Sequence, residues 1–153
     1  METPGAFDRT ARGRTPRLDP ASSLARAATG RQIWELRAEL YPHLQFLPRT
    51  EYQLSDLDPR WVVPVRRCLE RLEASTAAWD PSASNEPEWQ SKVTPEGETR
   101  KRVCKFQDLD GEERTFHLHA RFTPGAGRIH FRLIGAEGKI RIAHGGSKIR
   151  PDL

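Results

Sequence analysis

From Arg114 to Ile142 apolar and polar residues alternate: Phe116, Leu118, Ala120 and Phe122, then Ile129, Phe131 and Leu133, then Ile140 and Ile142. A period of two is the signature of strands with one buried face. Residues 114–122, 128–134 and 139–144 are therefore predicted strands. Residues 100–107 make an earlier one, with Cys104 and Phe106 turned to the core. Turn-forming residues separate the runs: Asp108-Leu109-Asp110-Gly111, residues 123–127 and residues 135–138. The pattern predicts an antiparallel meander of roughly four strands.

Upstream the period lengthens. Ile33, Trp34, Leu36 and Leu40 share one side of a helix that begins near Thr29 and stops before Pro42. A second helix starts at Asp58-Pro59, a capping residue followed by a proline suited to the first turn. Its stripe is Val62, Val65, Leu69 and Leu72, with Arg66, Arg67, Glu70, Arg71 and Glu73 on the outer side. Residues 43–58 are mixed, and Leu44, Phe46 and Leu47 fit either a short strand or a packed loop. Residues 77–96 read as a long loop pinned at its ends by Trp79 and Trp89. The expected fold is α+β: two N-terminal helices packed on one face of the sheet, forming a single domain over residues 29–153. Residues 1–28, rich in Arg and Pro and poor in apolar residues, are expected to be a disordered tail.

Composition changes this picture only modestly. The chain has 153 residues, 25 Lys and Arg against 21 Asp and Glu, for a net charge of +4. Mean hydropathy is -0.73 and the pI about 9.4. A small positive excess permits an anionic partner, and its distribution decides whether one is implied. Cys68 and Cys104 stand far apart and match no structural-zinc spacing, so buried reduced thiols are expected. The chain shows no secretory h-region and no apolar run of membrane-spanning length, so a cytoplasmic protein without membrane contact is expected.

Distribution is the informative part. The strand faces opposite the apolar ones carry His117, His119, Arg121, Arg128, His130, Arg132, Lys139 and Arg141, with Lys101 and Lys105 on the first strand. Like charges side by side on a sheet are destabilising. A face that collects them is expected to be exposed and to meet phosphates or another polyanion.

The run Gly127-Arg128-Ile129-His130-Phe131-Arg132-Leu133, followed by Lys139-Ile140-Arg141-Ile142-Ala143-His144-Gly145-Gly146-Ser147-Lys148 after two helices, resembles the RelE/HigB/ParE toxin superfamily. That resemblance implies a protein that cuts messenger RNA on the ribosome and is paired with an antitoxin protein. It implies that Arg128 stabilises the reacting phosphate and that Lys101 and Lys105 match earlier strand lysines. His144 or Lys148 would match the last-strand residue nearest the leaving group.

The residues themselves suit metal-independent RNA cleavage without a cofactor. His117, His119 and His130 supply a general base and acid, and Arg128 the cation that steadies the phosphate, with Arg121, Arg132, Lys139, Arg141 and Lys148 binding the strand. Two other chemistries compete. His117, His119 and His130 could hold catalytic zinc, although a cationic face repels a dication and no acidic neighbour is evident in the sequence. A non-enzymatic module could instead use the same face to grip nucleic acid or an acidic partner protein.

Overall fold

The structure is a computed structural model that describes residues 27–123 and 125–149. The expected disordered tail lies outside the described residues except for its last two positions. There Ala27 is buried at 0% exposure, and its carbonyl accepts from Arg66 Nη1 at 2.6 Å. Ala27 thus belongs to the core, and Arg66, expected on the outer side of its helix, is buried beneath it.

Helix α1 spans Gly30–Leu40, capped by Thr29 Oγ1, which accepts from the Gln32 N–H at 3.1 Å. Strand β1, Leu44–Phe46, settles the open choice in this stretch in favour of a strand. A short helix α2, Thr50–Ser55, follows, and then α3, Pro59–Ala77, capped by Asp58. The α3 stripe is buried as expected, with Val62, Val65, Leu69 and Leu72 in the main core. Beyond α3 the chain runs irregularly to Lys92. The Trp79 indole N–H donates to Ser84 O, and the Trp89 ring meets Phe131 edge-on at 5.4 Å. The end of the expected loop is not a loop: Val93–Pro95 forms strand β2 at a sheet edge.

The first expected strand is mostly replaced by local turns. Helix α4 occupies Glu98–Lys101, because the Arg100 and Lys101 N–H groups both bond back to Gly97 O and Arg100 pairs with Glu96 four residues earlier. Only Lys105–Gln107 (β3) is extended, and it pairs with β4, Glu113–Thr115, as a separate two-stranded ribbon around the expected 108–111 turn. The second expected strand breaks at Phe116–His117. Its remainder, β5 at Leu118–Phe122, joins β6 at Gly127–Ile134 and β7 at Lys139–Ser147. The main sheet has five strands in the order β1-β7-β6-β5-β2; β1 runs parallel to β7, and every other pair is antiparallel. The fold is α+β with a mixed sheet rather than an all-antiparallel meander. None of the described helices is long and apolar enough to cross a membrane.

Two features shape the polar face. The β6–β7 register slips between His130 and Phe131, so that His130 faces His144 while Phe131 faces Ile142 and Ala143 is the extra residue. Strict alternation would turn His144 to the side of Ile140 and Ile142; the bulge re-aims it beside His130. The face is also covered. Phe116, expected in the main core, instead joins Leu47, Ala143 and Phe106 in a second apolar cluster. His130, expected to be exposed, has 0% exposure, and Arg128, Arg141 and His119 are buried too.

Candidate metal centre

Across the middle of the sheet lies a lateral row of side chains. Register places Thr94 opposite His119, His119 opposite His130, and His130 opposite His144. The imidazole centroids of neighbours are 5.4 and 5.7 Å apart. Glu96, just past β2, reaches over this row; its own N–H is fixed by His117 O at 2.9 Å. Its Oε2 sits 3.6 Å from His119 Nδ1 and 3.7 Å from His130 Nε2. These three atoms lie within 4.8 Å of one another, and all three residues are buried.

The hydrogen bonds around the row determine its protons. His130 Nδ1–H donates to Phe116 O at 3.3 Å, so in the neutral ring Nε2 is a bare lone pair aimed at Glu96. His119 Nε2 meets Thr94 Oγ1 at 3.3 Å, which leaves Nδ1 facing the same carboxylate. Both of these inward nitrogens are buried without a hydrogen-bond partner. Buried polar atoms rarely stay unpaired, and each costs about 1–3 kcal/mol. The second oxygen of Glu96 accepts from Arg100 Nε at 3.2 Å, which orients the carboxylate.

The imidazoles are held neutral. Burial pushes His130 down to about 3, assisted by charge on His144 and His119. Burial likewise lowers His119; Glu96 opposes that shift, while Arg128, Arg121 and Arg100 add to it. Neutral nitrogen is the ligating form, and a carboxylate beside it supplies the countercharge to a dication. In a tetrahedral shell with bonds of about 2.0–2.2 Å, ligand atoms lie roughly 3.3–3.6 Å apart, close to the two spacings at Glu96. The outer bonds to Phe116 O, Thr94 and Arg100 are of the kind that orients ligands at metal sites.

The other expected site residues are distributed unevenly. His117 is half-buried on the link before β5, outside the triad. His144 has both nitrogens occupied: Nδ1 accepts from Gln53 Nε2 at 3.1 Å, and Nε2 donates to Ser147 O at 2.6 Å. Arg128 is buried at 7% exposure, with one hydrogen bond, to Gly127 O, and burial together with Arg121 lowers its pKa. Arg132 and Arg141 are tied to Asp108 at 2.6 and 2.7 Å, so they are not free to bind a strand. Lys101 sits in α4 and pairs with Glu98, and Lys105 is on the exposed ribbon; neither lies on a main-sheet strand. Arg121 and Lys148 are exposed, and Lys139 is half-buried at the start of β7.

Sequence reasoning missed Glu96 and Asp108. Glu96 lies in the link between β2 and α4, next to Gly97, and Asp108 opens the turn after β3, where an acid is read as local chemistry; no periodicity connects either to the sheet. Glu96 is the acidic neighbour of the histidines that is not evident in the sequence, and Asp108 neutralises Arg132 and Arg141 from outside the strands.

Comparison with family models, curated proteins and solved structures finds no match to this chain.

Proposed function

We propose that this protein binds a divalent transition metal, zinc first among them, through Glu96, His119 and His130. One observation carries the reading: two unpartnered imidazole nitrogens, both buried, and one carboxylate oxygen converge on a single point. Two nitrogens and one oxygen suit zinc, iron(II) or manganese; Cys104, whose thiol burial pushes up to about 11, approaches only the far nitrogen of His130 at 3.8 Å. Three protein donors leave a coordination position for water or substrate, as in hydrolytic centres. Arg128 beside them favours an anionic substrate.

The test is calorimetric titration of chelator-treated full-length protein with zinc, with metal content measured in parallel. One equivalent should bind to the wild type. Glu96→Gln and His130→Asn, the latter keeping a donor for Phe116 O, should weaken binding at least about tenfold, whereas His117→Gln should not. Binding that ignores both ligand substitutions would remove the proposal.

Metal-free RNA cleavage on a ribosome, through the same histidines and Arg128, is the competing proposal. It is supported by the cations that remain unpaired and by the resemblance around Arg128. Its general acid and base must reach a scissile phosphate, and the enclosure of His119 and His130 favours the ligand role instead. Chelator separates the two: growth inhibition or RNA cleavage that survives metal removal would favour the metal-free route.

A further inference from the structure

The cations on and around the sheet fall into two sets. Arg132, Arg141 and Arg114 converge on Asp108, Arg100 is held by Glu96, and Lys101 by Glu98. Arg71, Lys92 and Arg121 have no carboxylate partner among the described residues, and they line one pocket at the β2 edge together with Ser91 and Thr94. The pocket measures about 390 Å³, within the range of small-ligand sites.

Its lining is made of donors. The β2–β5 ladder ends at Val93 and Ala120; one residue further, Lys92 stands beside Arg121, which is itself opposite Arg128. Three cations thus follow one another across neighbouring strands, an arrangement that is unfavourable unless an anion sits against it. The Ser91 hydroxyl is buried and unpartnered. Thr94 supplies a second donor by way of its neighbour. When His119 Nε2 carries the proton it donates to Thr94 Oγ1 at 3.3 Å, which frees the threonine hydrogen for the pocket. None of the lining side chains is an acid.

We propose that this pocket binds a phosphoryl group. A tetrahedral anion with several oxygens uses two guanidinium groups, an ammonium and two hydroxyls together, as a monovalent carboxylate cannot. The cationic lining lies outside the metal triad, so the pocket stands whether or not the centre holds metal. Thr94 and His119 join the two sites, which places a phosphorylated ligand next to the proposed metal.

Inorganic phosphate titrated calorimetrically into full-length protein at low salt is the direct probe. Saturable binding at one equivalent is expected, weakened at least about tenfold by Lys92→Gln with Arg121→Gln and severalfold by Thr94→Val, with Lys105→Gln as an unaffected control. Competition by a 5′-phosphorylated oligonucleotide but not its 5′-hydroxyl form would identify a nucleic-acid source of the phosphate. Phosphate binding without such competition would identify a small phosphorylated ligand. Absence of saturable binding, or binding indifferent to Lys92 and Arg121, would overturn the proposal. Glu96→Gln measured alongside keeps the two sites apart, since it should weaken zinc binding at least about tenfold and leave phosphate binding in place.

Discussion

Replacing Asp108 with Ala should be among the most damaging single changes in the sheet. Its carboxylate has 0% exposure and accepts from Arg141 Nη1 at 2.7 Å, Arg132 Nε at 2.8 Å and the Leu109 N–H at 2.7 Å. Arg114 adds a bond at 3.2 Å. Removing it leaves Arg141, whose side chain is 11% exposed, without its main countercharge. Breaking a buried ion pair costs about 3–5 kcal/mol. Arg132, at 25% exposure, can recover some hydration, which argues for the lower end. A loss of about 3 kcal/mol moves a urea midpoint by roughly 1–3 M for a protein of this size.

The pH dependence has a definite sign. Burial pushes the Asp108 pKa up, but the Leu109 N–H and the arginines outweigh it and hold the carboxyl below its ordinary value. A depressed folded pKa gives stability that is present above the unfolded value of about 3.9 and is lost as pH falls through the folded one. Urea unfolding followed by tryptophan fluorescence should therefore show a wide gap between wild type and Asp108→Ala at pH 7. That gap should narrow below about pH 4. A midpoint change equivalent to less than about 0.5 kcal/mol, the size of an ordinary surface substitution, would show that water and not Asp108 satisfies these arginines.

Other changes test other parts of the fold. Phe131→Ala removes a ring at 0% exposure packed against Trp89, and should cost about 3–5 kcal/mol by the same urea assay. Gly127→Ala would place a Cβ 2.3 Å from the Phe122 ring, which Trp61 holds edge-on at 4.9 Å, so calorimetry should record a loss of about 1–3 kcal/mol. Burial pushes the thiol of Cys68 up to about 12 and that of Cys104 up to about 11. Both should therefore label slowly at pH 8 in native protein and fully once denatured; rapid native labelling would contradict their enclosure.

Features written in local pattern were legible in the chain. Asp58-Pro59 and the four-residue stripe marked α3, alternation marked β6 and β7, and turn residues marked the three hairpin bends. The gathering of His119, His130 and Arg128 on one side of the sheet followed from the same alternation. What was not legible depends on long-range partners or on slips of a single residue. The bulge beside Ala143 changes no composition, yet it turns His144 to the opposite face. The acids that complete the site come from outside the strands. Residues 100–104, three cations followed by Val103 and Cys104, carry no clear alternation, and there bonds back to Gly97 and the Arg100–Glu96 pair win locally. Exposure was misjudged because Phe116 and Leu47 cover a face that its charges made look wet.

The parallel pairing of β1 with β7 has a consequence in time. Gln45 and Arg141 are hydrogen-bonded across 96 positions of sequence, so the first strand among the described residues is completed by the last of them. At synthesis rates of about 5–20 residues per second, β1 waits roughly 5–20 seconds for its partner strand, and the apolar stripe of α3 waits roughly 3–12 seconds. Contacts this remote slow folding, because the loop must close before any of them is rewarded. The helices therefore emerge as sticky, unfinished surface, and assembly of the sheet is a late, concerted event in the life of each new chain.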